Sequence, residues 1–268
     1  MTGPVTGKTA VMLMLADPVS HIRGTSLIND SFAALGLDAV IVPLHVAPAD
    51  LDGVLRAVRL MHNVAGLGIT IPHKVAACPL VDGLTPVAAR MGATNFVRRN
   101  ADGTLTGTNT DGAGFLAGLR ANGFDPAGRR ALLAGTGGVG RAIAFALAEA
   151  GVAVLEMTNR DRAKAAALAE ELRALFPDCA VRLADGGSVA RADLLVNGTS
   201  LGIKPDDPLP IDLTGLAAQT TVAEVVVQPA MTLLLVEAAA RGCPVIGGAE
   251  MLAPQPRLVA EFFGLVRG

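Results

Sequence analysis

The hexapeptide Gly135-Thr136-Gly137-Gly138-Val139-Gly140 constrains this chain more than any other stretch. A short apolar run at 130–135 reads as a strand leading into it, and an alanine-rich pattern at 141–150 reads as a helix leading out. In that setting the first glycine permits a tight turn. The second lets backbone approach a pyrophosphate, and the third lets the helix lie close to the sheet. The helix N-terminus then offers free N–H groups and the positive end of its dipole to phosphate. A plain glycine-rich turn is the competing reading. The strand before and the helix after favour nucleotide binding, so all six residues are candidate cofactor ligands.

Short apolar runs alternate with Ala/Leu/Arg-rich helical patterns from end to end, as βα units around a parallel sheet do. Strands are expected at 9–15, 39–43 and 66–71, with helices at 24–35 and 51–61. The pattern restarts with a helix at 112–122. Strands at 130–135, 152–158, 194–197 and 221–227 follow, with helices at 141–150, 162–175, 231–241 and 251–266. The chain has 268 residues, 51% hydrophobic and 17% charged, enough for two modest domains or one large one. Composition does not shift near Asp111, so a boundary there rests on motif position.

The strand expected at 152–158 ends in Thr158-Asn159-Arg160-Asp161. At this point a dinucleotide fold chooses its cofactor: a carboxylate holds the ribose 2′-OH of NAD, and arginine takes the 2′-phosphate of NADP. Asn159 and Arg160 favour NADP, since guanidinium matches phosphate geometry. Asp161 and Glu156 favour NAD, which stays possible.

Two other stretches carry acid–base chemistry: Ile69-Thr70-Ile71-Pro72-His73-Lys74 and Gly107-Thr-Asn-Thr-Asp111-Gly-Ala-Gly-Phe115. Pro72 biases Ile71 to extended geometry, so Lys74 falls just past a strand, where parallel sheets bind ligands. An ammonium there can stabilise oxyanion charge and move a proton, and a carboxylate can hold and tune it. An exposed loop lysine and a helix N-cap aspartate are the plain alternatives.

Other classes find little support. Net charge is −2, without a basic run, and Trp and Tyr are absent, so nucleic acid is not expected as a partner. Cys78, Cys179 and Cys243 are far apart, and His21, His45, His62 and His73 have no ligand spacing, so no metal is expected. Ser188 and Ser200 lie in no nucleophile elbow. The run from Ala10 to Ala16 reads as a buried strand rather than a signal peptide, and no apolar run reaches the roughly 18 residues of a membrane span. A cytoplasmic protein is expected, with monomer and homodimer both open.

At this point the chain resembles the shikimate/quinate dehydrogenase family over nearly its whole length. Thr70-Ile-Pro72-His-Lys74 resembles its catalytic-lysine segment, Gly92-Ala-Thr-Asn95 its substrate-binding asparagine, and Asn109-Thr110-Asp111-Gly112 its catalytic aspartate. Gly135–Gly140 and Asn159-Arg160 resemble its NADP loops. Asn197-Gly-Thr199-Ser200-Leu201-Gly202 and Gly248-Ala-Glu-Met251-Leu252-Ala-Pro-Gln255 resemble its later cofactor and closing segments. The motifs stand in the family's order.

The resemblance implies an α/β protein of two α/β domains. A substrate domain spans 1–111 and 247–268, and a Rossmann-type dinucleotide-binding domain spans 112–246. It implies NADP-dependent hydride transfer between 3-dehydroshikimate and shikimate, or a quinate-like ring acid, in aromatic amino acid biosynthesis. Lys74 and Asp111 are then catalytic, Thr70, Asn95 and Gln255 bind the small-molecule substrate, and Thr199, Ser200, Leu201, Gly248 and Met251 join the cofactor site.

Two departures concern the substrate. Where the family has two serines this chain has Ile22 and Gly24, and where it has a tyrosine this chain has Val227. Arg23 or Thr25 is expected to take the carboxylate instead. Each polar substrate group left unpaired costs about 1–3 kcal/mol. Another alicyclic hydroxy acid, such as an amino-substituted one, is the second enzyme reading. A non-catalytic dinucleotide-binding regulator is the third.

Overall fold

The computed structural model describes residues 4–19, 22 and 24–266. The chain divides into two compact units, Met1–Thr110 with Pro254–Gly268, and Asp111–Ala253. In the first, β1 (Ala10–Ala16), α1 (Gly24–Ala34), β2 (Ala39–His45), α2 (Leu51–Val58) and β3 (Val64–Ile69) alternate, and the three strands run parallel. The chain continues through β4 (Gly83–Leu84), α3 (Pro86–Met91), β5 (Phe96–Arg99) and β6 (Leu105–Thr108), giving the order β2-β1-β3-β5-β6-β4.

The expectation of a parallel sheet is corrected here, because β5 runs antiparallel to both β3 and β6. The cause is a tight connection between β5 and β6. Asn100 N–H donates to the Thr104 carbonyl (2.8 Å), Gly103 takes a positive φ of 85°, and the Asp102 carboxylate accepts from the Thr104 amide at 2.9 Å. Strands joined by so short a turn pair antiparallel.

The second unit holds α4 (Asp111–Ala121), β7 (Arg130–Ala134), α5 (Gly138–Glu149), β8 (Val154–Thr158), α6 (Arg162–Leu175) and β9 (Ala180–Leu183). It continues with α7 (Ser188–Arg191), β10 (Leu194–Asn197), β11 (Thr221–Glu224), α8 (Leu233–Ala240), β12 (Val245–Ile246) and α9 (Gly248–Leu252). Its sheet is parallel throughout, in the order β12-β11-β10-β7-β8-β9. Counted from β7 this is the doubly wound dinucleotide order, whose direction of winding reverses between β7 and β10.

The stretch 247–253, expected with the first domain, clusters in the second unit. Gly118 of α4 explains it: a Cβ there would lie 2.5 Å from the Glu250 carbonyl oxygen, so only glycine admits α9 this close. The single helix expected at 251–266 is also two. It breaks at Pro254 and resumes as α10 (Gln255–Phe262), with Pro256 at its first turn, where the missing N–H costs nothing.

α10 packs within the first unit. Val259 and Ala260 join Met12, Phe32, Ile41 and Phe96 in one apolar cluster, and the Arg98 guanidinium donates to the Phe262 carbonyl at 2.9 Å. A second cluster, around Leu15, Leu55, Leu67, Ile69 and Val97, fills the other face of the sheet. Gly66 lies under α10 at a φ of 154°, where an added Cβ would strike the Val97 carbonyl and sit 2.6 Å from the Phe263 ring. Neither neighbour can give way without moving a strand. Gly66→Ala is therefore expected to cost about 3 kcal/mol in urea denaturation. Gly53→Ala, exposed on α2 with open space at its Cβ, is expected to stabilise by about 0.5–1 kcal/mol through helix propensity. Equal effects from the two would refute this account.

Candidate active site

In the first unit the strand ends hold the lysine loop by backbone. Thr70 N–H donates to the Leu15 carbonyl at 3.1 Å, closing the loop against β1. His73 is 1% exposed, and its Nε2 donates to the Val46 carbonyl at 2.9 Å, an assignment of tautomer that the acceptor dictates. Ala77 N–H caps the turn on the His73 carbonyl (2.9 Å), and the Lys74 carbonyl accepts from Thr94 N–H at 2.8 Å. The sequence placed His73 in the loop without a role; the structure makes it the strap that fixes the turn carrying Lys74.

Asn95 and Thr110 bond reciprocally. Asn95 Oδ1 accepts from Thr110 N–H at 2.9 Å and its Nδ2 donates to Thr110 Oγ1 at 3.1 Å. Thr110 is the residue before α4, and Asp111, buried, is the first of that helix. Asn95 thus holds the approach to Asp111 as well as standing among the candidate substrate ligands. Thr94 Oγ1 bridges the Phe96 and Thr108 carbonyls at 2.9 and 2.8 Å, locking β5 to β6 beneath.

Gln255 heads α10 and is 7% exposed, and its Nε2 has no hydrogen-bond partner among the described residues. A buried amide donor left unpaired costs free energy, so Gln255 suits a ligand oxygen that accepts from it. Thr25 is buried near the start of α1. Arg23 lies outside the described residues. Ile22 packs against the apolar cluster of β1, α1 and α10, and so turns inward.

In the second unit a cleft of about 440 Å3 opens at the point where the winding reverses, lined by Gly135, Thr158, Asn159, Arg160, Thr199, Ser200 and Leu201 among others. Gly135 has a φ of 95°, which favours glycine, and its N–H donates to the Thr158 carbonyl at 2.8 Å. A Cβ on Gly140 would strike the Gly135 carbonyl, and one on Gly198 would lie 3.0 Å from the Gly140 Cα. α5 begins at Gly138 with Gly137 at its N-cap and no side-chain cap, so the first-turn N–H groups are left for an anion. Thr136 is nine-tenths buried and its Oγ1 has no partner among the described residues. A glycine cradle, an uncapped helix start and an orphaned hydroxyl fit a dinucleotide phosphate.

The two carboxylates that favoured NAD are both engaged elsewhere. Asp161 caps α6, accepting from Ala163 and Lys164 N–H at 3.1 and 3.4 Å. Glu156 is 1% exposed and is ringed by Arg182 (3.2 Å), Arg191 (3.0 Å) and Arg130 (3.8 Å), with Ser188 Oγ donating at 3.1 Å. Arg160 is left exposed on the cleft wall. Asn159 turns inward, accepting from Thr136 N–H at 3.3 Å and donating to the Asp161 carbonyl at 2.9 Å.

The family model for the shikimate dehydrogenase substrate binding domain matches residues 14–97. The NADP(+) shikimate dehydrogenase of Rubrobacter xylanophilus is 41% identical over 94% of this chain and 89% of its own. The chain belongs to the shikimate dehydrogenase family. Among solved structures, Listeria monocytogenes shikimate 5-dehydrogenase with shikimate and NAD superposes with a TM-score of 0.90 at 30% identity, covering 98% of this chain and 94% of that one. The Thermus thermophilus enzyme with NADP(H) and shikimate gives 0.87 at 33%, covering 96% and 94%.

For a shikimate dehydrogenase family member, two groups escaped the sequence reading. One is Asn197, whose Oδ1 accepts from Thr199 N–H and Oγ1 at 3.0 and 2.7 Å and so shapes the cleft rim. The other is Glu224, buried beside it. Asn197 stood in a quoted motif, but nothing in its spacing distinguishes a loop-holding amide from a ligand. Gly248 and Met251 sit in α9. Gly248 N–H donates to the Val226 carbonyl at 3.2 Å, and a Cβ on Gly248 would lie 2.6 Å from the Val225 carbonyl carbon. Gly140→Ala is expected to lower affinity for a nicotinamide dinucleotide at least about tenfold by displacing the phosphate loop. Titration by dinucleotide fluorescence reads it, and unchanged affinity would refute the cradle.

Proposed function

We infer that the chain is an NADP-dependent oxidoreductase acting on CH–OH, interconverting 3-dehydroshikimate and shikimate in aromatic amino acid biosynthesis. The observation that carries this reading is a likeness of about 40% identity across both units to proteins named shikimate dehydrogenase (NADP(+)). The site chemistry supports it independently. Gln255 offers an unpaired buried amide donor to a hydroxylated ligand, and Arg160 stands free of both carboxylates that would compete with a 2′-phosphate.

The Gly135–Gly140 loop with Asn159, Arg160 and the 198–202 rim would hold NADP, which would supply the hydride to the ketone or accept it from the alcohol. Lys74 holds the ketone oxygen, stabilises the negative charge that grows on it, and delivers the proton that completes the alcohol. Asp111 is the second member of this proton-handling pair. Thr70, Asn95 and Gln255 orient the ring hydroxyls, and Arg23 or Thr25 takes the carboxylate in place of the serines absent at 22 and 24. In the reverse direction the same lysine, deprotonated, takes the alcohol proton as hydride leaves. A small-molecule substrate, no nucleic-acid or membrane partner, and a cytoplasmic setting complete the reading.

Absorbance at the nicotinamide band tests it, with shikimate and quinate each offered with NADP and NAD. Efficient turnover of shikimate with NADP is expected. No turnover of either acid, with NADPH still bound, would overturn the substrate assignment and move the search to other ring acids. Lys74→Ala is expected to lower kcat by about 10²- to 10⁴-fold while NADPH affinity stays within about twofold. Retained turnover in that variant would remove Lys74 from the chemistry.

A further inference from the structure

Glu224 is the last residue of β11, lies 1% exposed, and has no part in the hydride chemistry above. Its carboxylate accepts from Thr232 Oγ1 at 2.9 and 3.0 Å, one contact to each oxygen, and from Asn197 Nδ2 at 3.4 Å. Thr232 is also buried and is the N-cap of α8, its hydroxyl accepting from Leu235 N–H. Among the described residues no arginine, lysine or histidine pairs with Glu224, and burial pushes its carboxyl above the usual range against the pull of the two donors.

Asn197 passes this anchorage to the cleft. It is the register partner of Glu224 across β10 and β11. With one amide hydrogen toward Glu224, its Nδ2 also donates to the Leu201 carbonyl at 3.0 Å, while its Oδ1 accepts from Thr199. Thr199 Oγ1 in turn accepts from Leu201 N–H at 3.0 Å. Gly202 completes the fit, since a Cβ there would lie 3.1 Å from the Thr232 side chain. Thr199, Ser200 and Leu201 are among the residues that line the cleft.

We propose that Glu224 is a positioning residue for the cofactor: through Asn197 it sets the orientation of the Thr199–Leu201 rim, and thereby the affinity for NADP. The proposal rests on the dinucleotide reading of that cleft. It makes Glu224 act on binding and not on the chemical step, because nothing connects it to a reacting atom. A carboxylate with no cationic partner can serve here because its task is to accept from two neutral donors.

Two near-isosteric variants separate this from a purely structural role. Glu224→Gln keeps the shape and an acceptor oxygen for the Thr232 and Asn197 donors. Glu224→Met keeps the volume and removes that acceptor. Thr232→Val, which deletes the hydroxyl at equal shape, reads the same chain if Glu224→Met does not fold. The protein has no Trp, so NADPH fluorescence reports binding without interference. The expected result is that Glu224→Gln binds NADPH within about twofold of the parent. Glu224→Met, or Thr232→Val in its place, weakens Kd and the KM for NADP about tenfold, with kcat within about threefold. Equal NADPH affinity in the folded Met or Val variant and the parent overturns the proposal, whatever happens to Tm. So does a kcat loss without a Kd change. Failure of the parent itself to bind NADPH or NADH would instead refute the dinucleotide reading, and the two failures are thereby told apart.

Discussion

The second unit is arranged around a close approach between backbones. Gly135, Gly140 and Gly198 bring the ends of β7 and β10 and the first turn of α5 so close that a Cβ would clash at Gly135 and Gly140 and be crowded at Gly198. A cleft whose floor is backbone presents N–H groups instead of side chains, and that is what a phosphate needs. The parallel order on either side of β7 follows from the right-handed crossovers that feed it. The cleft therefore lies where the winding reverses, and the glycines decide how deep it is.

The first unit solves a different problem with different chemistry. A flexible lysine must be presented from a loop without letting the loop drift. The loop is pinned at Thr70, His73, Lys74 and Ala77, through main-chain groups at each and through the His73 ring as well. The buried Thr94, Asn95 and Thr110 satisfy one another and nearby carbonyls, so their desolvation is offset by bonds that also fix geometry. Ordering the lysine's surroundings in advance lowers the entropy lost when a substrate is held.

Much of this was legible in the sequence because glycine and proline have few alternatives. The 135–140 fingerprint, between an apolar run and an alanine-rich pattern, favours a strand-to-helix passage over a plain glycine-rich turn, and the parallel second sheet follows from the alternation around it. The hairpin between β5 and β6 escaped, although Asp102-Gly103 is a turn signal, because its strands are four residues each and carry no strong apolar run. The break before α10 escaped because Pro254 and Pro256 lay inside an otherwise helical pattern. Gly118 and Gly66 could not be interpreted at all, since what each admits comes from 132 and 197 residues further along the chain, at Glu250 and Phe263. Contacts at that separation leave no local period.

The two buried glutamates show why charge in a motif cannot be read by type alone. Glu156 and Glu224 are each 1% exposed, and each is in a strand of the same sheet. Glu156 draws three guanidiniums that stay partly in water, so the cost of burying one carboxylate is offset by charge-assisted bonds at the unit's surface. Glu224 draws only a hydroxyl and an amide, and burial raises its carboxyl toward the neutral form. Glu224 meets the cleft only through the hydroxyl and amide that donate to it, so it shapes the rim by geometry, with Arg160 and the α5 N-terminus facing the cleft. The sequence reading counted Glu156 against the 2′-phosphate and left Glu224 in the middle of the strand expected at 221–227. Their surroundings assign the opposite weights, because a carboxylate acts on a ligand only through the charge its neighbours leave uncompensated.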